Sequence, residues 1–145
     1  MKKVLVFACA LFTTASIFAK DINVSEKALK AFETTFTDAQ NVVWTNIDNV
    51  YTVKFTQDGA VTSVNYDAQG NFISSRRYYQ NAKLPIDIQC KLQKQFSGKT
   101  VYGVTEIAIA DNVYYFVKME DATSWTSLKI DNAREIEVLE KLRKQ

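Results

Sequence analysis

The sequence predicts an α+β fold in which two units, each a helix followed by four strands, build an antiparallel sheet with both helices on one face. Three observations lead to this prediction. Apolar residues recur at helical spacing in two short segments. Each segment is followed by stretches in which apolar and polar residues alternate between turn residues. The same order then restarts about 60 residues later, which indicates an internal repeat.

The overall composition is that of a globular protein. The chain has 145 residues, of which 47% are hydrophobic and 23% charged. We predict a signal peptide over residues 1–19 and one domain over 20–145, made of two repeats at about 24–80 and 84–145. A domain of this size buries enough surface to fold without a second domain.

The N-terminal segment has the pattern of an export signal. Lys2 and Lys3 precede an apolar run over residues 4–18, and the small residue Ala19 comes just before polarity returns. An uncleaved membrane anchor is the alternative, but the run is shorter than the ~20 apolar residues that a membrane span needs. The predicted location is therefore periplasmic or secreted.

Charge balance argues against two classes of partner. The 18 basic and 16 acidic residues become 16 and 16 once Lys2 and Lys3 leave with the signal peptide. Nucleic-acid binding needs a basic surface that displaces counterions from phosphates. We expect neither a nucleic-acid partner nor membrane association after signal cleavage.

The first unit begins with a helix over about 26–36. Ser25 is a favourable N-cap, and Glu26 lies in the first turn, where the helix dipole favours an acid. The apolar residues at helical spacing are Val24, Ala28, Leu29, Phe32 and Phe36. Four strands follow, marked by Val42 and Trp44, by Tyr51, Val53 and Phe55, by Val64 and Tyr66, and by residues 72–79. Turns are predicted at 57–59 and 67–71, with Gly70 suited to positive φ.

The second unit repeats this order. Leu84-Pro85 opens a helix that Gly98 can end, and its apolar residues are Leu84, Ile88, Leu92 and Phe96. Strands are predicted at 101–109, 113–119 and 125–130, with turns at 111–112 and 131–132. Residues 134–144 have a helix-forming composition, but the repeat calls for a strand there. We predict the strand, because pairing overrides propensity.

Residue usage argues against catalysis. The chain has no histidine, which removes Ser-His-Asp and Cys-His sites and most zinc sites. Cys90, the one cysteine left after signal cleavage, is expected to be a semi-buried helix thiol, since catalytic thiols usually use a histidine. We predict no enzyme activity, no metal and no cofactor.

Several of these segments resemble the PepSY-like family, the β-lactamase-inhibitor-like periplasmic proteins. The matching segments are Val43-Trp44, residues 51–55, residues 64–71 and Leu84-Pro85. In the second unit Arg134 replaces the expected turn glycine, so the Asp-x-x-Gly signature is lost. The resemblance covers essentially the mature chain. It implies an exported module of two related units with a sheet face that could bind protein, and it carries over no catalytic residues.

We therefore predict a non-enzymatic binding module that inhibits or modulates another exported protein. The candidate binding face consists of Lys54, on the outward side of its strand, and of Arg76, Arg77, Tyr78 and Tyr79, whose residue types dominate interfaces. Alternatively, these side chains have no partner and simply cover the sheet with their apolar stems. Core packing is expected for Trp44 and Trp125.

A second hypothesis is a small-molecule or lipid carrier with an apolar groove between helices and sheet. Its candidate lining residues are Phe32, Phe36, Phe55, Tyr66, Leu92 and Phe96. The same residues would equally make an ordinary core. The third hypothesis, an enzyme that works without histidine, is the least favoured of the three.

Overall fold

The computed structural model describes residues 23–80 and 83–145. In chain order the elements are α1 (Glu26–Thr35), β1 (Gln40–Ile47), β2 (Val50–Gln57), β3 (Ala60–Tyr66), β4 (Phe72–Tyr79), α2 (Ile86–Gln95), β5 (Thr100–Ile109), β6 (Asn112–Glu120), β7 (Ser124–Ile130) and β8 (Ile136–Arg143). A helix followed by four strands thus occurs twice. The predicted signal peptide lies outside the described residues. Within 23–80 and 83–145, no helix is long and apolar enough to cross a membrane.

The two helices start differently and end alike. Ser25 caps α1, since its Oγ accepts a hydrogen bond from the Ala28 N–H at 3.5 Å and donates to the Ala68 carbonyl at 2.7 Å. α2 begins after Pro85 without a side-chain cap. Each helix ends where a phenylalanine N–H bonds back to the carbonyl four residues earlier: Phe36 donates to Phe32, and Phe96 donates to Leu92.

The eight strands form one antiparallel sheet in chain order, from β1 at one edge to β8 at the other. Two hairpins turn on residue pairs with positive φ, Asp48-Asn49 and Asp58-Gly59, as type I′ turns require. The hairpin predicted at 111–112 lies one residue earlier. Asn112 is already paired with Ile109 in the ladder, so Ala110, with φ of 49°, and Asp111 make the turn.

The C-terminal segment is a strand, as the repeat predicted. β8 pairs with β7 from Ile136 to Arg143, and this pairing supplies backbone hydrogen bonds that outweigh the helical preference of the composition. The turn before it keeps the geometry of its counterpart despite the lost glycine. Asp131 Oδ1 accepts from the Glu135 N–H at 3.0 Å, as Asp67 Oδ1 accepts from Asn71 at 2.8 Å, and Arg134 takes a φ of 65°.

The core lies on one side of the sheet, between the strands and the helices. One group of buried residues surrounds α1: Ala28, Phe32, Tyr51, Val53, Phe55, Val64 and Tyr66. The other surrounds α2: Ala60, Tyr79, Leu84, Ile88, Leu92, Val104, Tyr115, Val117, Met119, Leu128 and Ile130. The strand register places both groups on the same face, here called the helix face. The prediction that both helices pack on one face is confirmed.

Candidate functional site

The other side of the sheet, here called the open face, has no helix packed on it among the described residues. Its side chains alternate with those of the helix face along the strands, except where a register shift interrupts the pairing. Across the middle of the sheet they are Thr52, Lys54, Ser63, Asn65, Ser74, Arg76, Tyr78, Thr105, Ile107, Tyr114, Phe116 and Lys118. The open face is therefore the large uncovered surface of this fold.

Three of the five predicted site residues share the open face. Lys54 pairs with Ser63, and Ser63 pairs with Arg76, so these residues form one row across β2, β3 and β4. Tyr78 lies two residues beyond Arg76 on the same side of β4, with 49% of its surface exposed. The structure thus brings Lys54, Arg76 and Tyr78 together.

The other two belong to the helix face, which corrects the prediction for Arg77 and Tyr79. Tyr79 is 2% exposed, and its hydroxyl donates to Glu106 Oε2 at 2.6 Å. Arg77 Nη1 donates to Glu106 Oε1 at 3.2 Å. Burial, together with the Glu106 carboxylate, raises the pKa of Tyr79 well above its ordinary value, so the phenol stays neutral. This cluster joins β4 to β5 on the helix face, where Tyr79 is buried and the Arg77 side chain stays 40% exposed.

An aromatic cleft adjoins Tyr78 on the open face. It has a volume of about 320 Å³, and Tyr78, Tyr102, Phe116 and Leu139 contribute its apolar walls. Gly103 forms part of its floor, because a Cβ there would lie 2.8 Å from the Tyr78 hydroxyl oxygen. No pattern in the sequence predicted this cleft. A glycine inside a strand was the available signal, since it marks a close approach by another group.

Trp125 borders this cleft, and its predicted core position is wrong. Its ring meets Tyr102 edge-on with centroids 5.0 Å apart, and the Nζ atoms of Lys118 and Lys144 lie 5.1 and 4.4 Å from its centroid. Trp44 does pack towards the core, with its ring 5.5 Å from that of Phe32. The open face thus carries an additional large aromatic side chain.

A polar pocket of about 390 Å³ lies on the other side of Arg76. Thr52 Oγ1 donates to Asn65 Oδ1 at 2.7 Å, and Asn65 Nδ2 donates to Ser74 Oγ at 2.8 Å, so one amide links three strands. Ile107 and Ile109 contribute its apolar wall. Arg76 is the charged side chain at this pocket.

A metal site in the described residues would require several ligating side chains close together. Within residues 23–80 and 83–145, no group of three or more His, Cys, Asp or Glu side chains is placed to hold a metal ion. Cys90 is exposed on α2, rather than semi-buried as predicted, and so lies on the opposite side from the open face. The arrangement provides recognition chemistry: a cationic row, hydroxyl and amide groups, and an aromatic cleft.

The sheet order and one-sided helices match solved structures over most of the chain. A BLIP-like protein from Bacteroides fragilis superposes with a TM-score of 0.59, covering 84% of this chain and 87% of that one at 15% identity. The chain has a BLIP-like fold. A DUF2874 family protein from Bacteroides uniformis shares this BLIP-like fold, with a TM-score of 0.55, 16% identity and coverage of 81% and 88%. A candidate periplasmic protein from Bacteroides eggerthii shares it as well, with a TM-score of 0.56 and 14% identity, covering 83% of this chain and 88% of that one.

At these identities the likeness concerns the BLIP-like fold alone. No protein-family model matches the chain, and no curated protein matches it. The β-lactamase-inhibitor-like part of the predicted fold is thereby supported, while the PepSY part stays a prediction.

Proposed function

We propose that this protein is an exported, non-enzymatic binding module, built from two repeated units, that recognises another exported protein through the open face. The main support is that the helices pack on only one face of the sheet, while large apolar and aromatic side chains remain accessible on the other. Tyr102 is 54% exposed and Leu139 48% exposed. Exposed aromatic groups beside unpaired cations are typical of protein interfaces.

Further support comes from two sources. The absence of histidine in the whole chain removes the commonest catalytic arrangements. A structural neighbour is described as a candidate periplasmic protein and another as BLIP-like, which agrees with an exported module. Inhibition or modulation of an envelope protein is the activity we propose for it.

Affinity capture with matched variants tests the binding face. The protein is immobilised, exposed to native envelope extract, and the captured proteins are identified by mass spectrometry. Tyr102→Ala should lose a specific captured protein, because it removes a wall of the aromatic cleft. Ile86→Ala is the control, since Ile86 is 79% exposed on α2 and lies on the other side of the sheet. Capture that is unchanged by Tyr102→Ala but lost with Ile86→Ala would contradict the proposal.

A small-molecule carrier is the second candidate. A pocket of about 290 Å³ lies on the helix face beside Phe36, Phe72 and Arg77. Of the lining residues predicted for such a groove, however, Phe32, Phe55, Tyr66 and Leu92 are packed in the core. Native mass spectrometry of freshly purified protein distinguishes the two candidates, because a carrier retains a ligand mass that a protein-binding module lacks.

A further inference from the structure

We propose that Lys54, Ser63 and Arg76 form a carboxylate-binding site for an aspartate or glutamate side chain of a protein partner. This inference rests on the proposed function and names the chemistry of the partner. The partner segment that fits is acidic at one position and apolar two positions along. Four features of the open face lead to this conclusion.

The first feature is the geometry of the row. Ser63 on β3 pairs with Lys54 on one neighbouring strand and with Arg76 on the other. Neighbouring strands lie about 4.8 Å apart, so the two cationic residues stand roughly 10 Å apart with one serine between them. Side chains as long as Lys and Arg can converge over a serine across that gap. The hydroxyl beneath them is a further hydrogen-bond donor for a bound oxygen.

The second feature is unbalanced positive charge. Strands β1–β4 contain no aspartate or glutamate, and neither Lys54 nor Arg76 forms an ion pair within the described part of the chain. Five other cations of the described residues do form ion pairs, among them Lys99 with Asp121 and Lys144 with Glu120. An acidic group from outside would meet two cations here and no repelling charge, whereas a basic group would be repelled.

The third feature is the surroundings of Arg76. Its cross-strand neighbour on β5 is the apolar Ile107, and the hydrogen-bonded amide of Asn65 lies in the same pocket. A guanidinium presents paired N–H donors that match the two oxygens of a carboxylate. Arg76 is exposed and therefore accessible to a partner, whose docking against Ile107 would reduce competition from water and strengthen such a pair.

The fourth feature indicates a protein segment rather than a lipid or nucleic acid. Tyr78 and the aromatic cleft begin two residues from Arg76, which is about 7 Å along an extended strand. An extended segment therefore places an acidic side chain at Arg76 and an apolar one in the cleft. Two cations are few for a membrane surface, where each basic residue contributes only about 1 kcal/mol, and few for phosphate chains.

A random 12-residue peptide display library tests the inference. The full chain, expressed with its own N-terminal segment and purified from the envelope fraction, is immobilised and used for selection. Selected peptides should be enriched in an Asp or Glu placed two residues from an aromatic or large aliphatic residue. A synthetic copy of the best peptide should lose about tenfold or more in affinity for Arg76→Ala, as expected when a charged hydrogen bond is removed. Its Asp→Asn or Glu→Gln form should lose a similar factor.

The controls separate this inference from the proposed function. Lys30→Ala removes an exposed cation of α1 on the other side of the sheet and should leave peptide affinity unchanged. Peptides that lack acidic residues, tolerate Arg76→Ala and lose binding with Tyr102→Ala would overturn the carboxylate site and retain the open face. Peptides insensitive to both variants, or failure to select any, would overturn both. The last control uses vesicles with 30% anionic phospholipid. If the protein binds them and Arg76→Ala abolishes that binding, the Lys54–Ser63–Arg76 row recognises a membrane, and the proposed carboxylate site for a protein partner is overturned.

Discussion

At the scale of single residues, neighbours in one strand have opposite environments. Phe55 is 1% exposed, and its ring lies 5.2 Å from that of Phe32 and 4.7 Å from that of Phe36. Lys54, the preceding residue, projects from the open face and is exposed. Alternation along a strand is the cause, because successive Cβ atoms point to opposite faces.

These two residues should therefore respond very differently to truncation. Phe55→Ala should lower the free energy of unfolding by about 3–5 kcal/mol, because it leaves a cavity among packed aromatic rings. Lys54→Ala should change it by no more than about 0.5 kcal/mol, as an exposed substitution does. Chemical denaturation of both variants measures the two values. A large loss for Lys54→Ala together with a small one for Phe55→Ala would refute the register of β2.

At the scale of elements, turn geometry explains where glycine is required. Gly70 and Gly59 both have positive φ, of 81° and 72°. The turn of Gly70 packs against α1, and a Cβ there would lie 2.6 Å from the Lys27 carbonyl oxygen. Gly59 lies in a hairpin where a Cβ would meet nothing within 4 Å. The same backbone conformation thus occurs in a crowded and in an open setting.

The two glycines form a matched pair for mutation. Gly59→Ala should cost about 1–2 kcal/mol, the ordinary penalty for a side chain in left-handed backbone. Gly70→Ala should cost more by at least about 1 kcal/mol, because the backbone of α1 must shift to admit the methyl group. Thermal or urea unfolding of both proteins gives the difference. Equal losses would show that the helix does not pack tightly on this turn.

At the scale of the whole molecule, the open face belongs to both halves of the chain. The polar pocket and the cationic row come mainly from β2–β4, and the aromatic cleft comes mainly from β5–β8. The join between β4 and β5 runs through the middle, held on the helix face by Arg77 and Tyr79 against Glu106. A partner that needs both kinds of contact can be bound only by the complete sheet.

Cleavage of the signal peptide is a prediction about the whole chain. We expect the native protein to begin near Lys20, since residues 1–19 have the pattern of a cleaved signal peptide. Intact-mass measurement of protein recovered from the envelope checks this, and expression of the chain with Lys2 and Lys3 replaced by Asp is the control that should impair export. Recovery of intact Met1 in a membrane pellet would contradict cleavage.

Much of the architecture could be predicted because local patterns determine it. Apolar spacing located both helices, and alternation located the strands and the buried side of β2. The strand at Ile136–Arg143 needed the repeat as well, because its composition alone favours a helix. The candidate site was predicted less well. Alternation showed that Arg76 and Arg77 lie on opposite sides of β4, but not which of them faces the helices.

The sequence by itself determined the elements, their order and the alternation of side chains, since these follow from backbone geometry and local apolar spacing. For β2 the alternation already indicated the open side, but for β4, β5 and β7 only the tertiary structure decided which side is open. Register shifts between Asn65 and Tyr66 and between Val101 and Gly103 change the relation of one strand to the next. Such shifts depend on how one strand pairs with the next, which local apolar spacing does not reveal. The shift between Val101 and Gly103 places Tyr102 and Gly103 at the aromatic cleft, and packing within the sheet puts Trp125 beside Tyr102 and buries Tyr79.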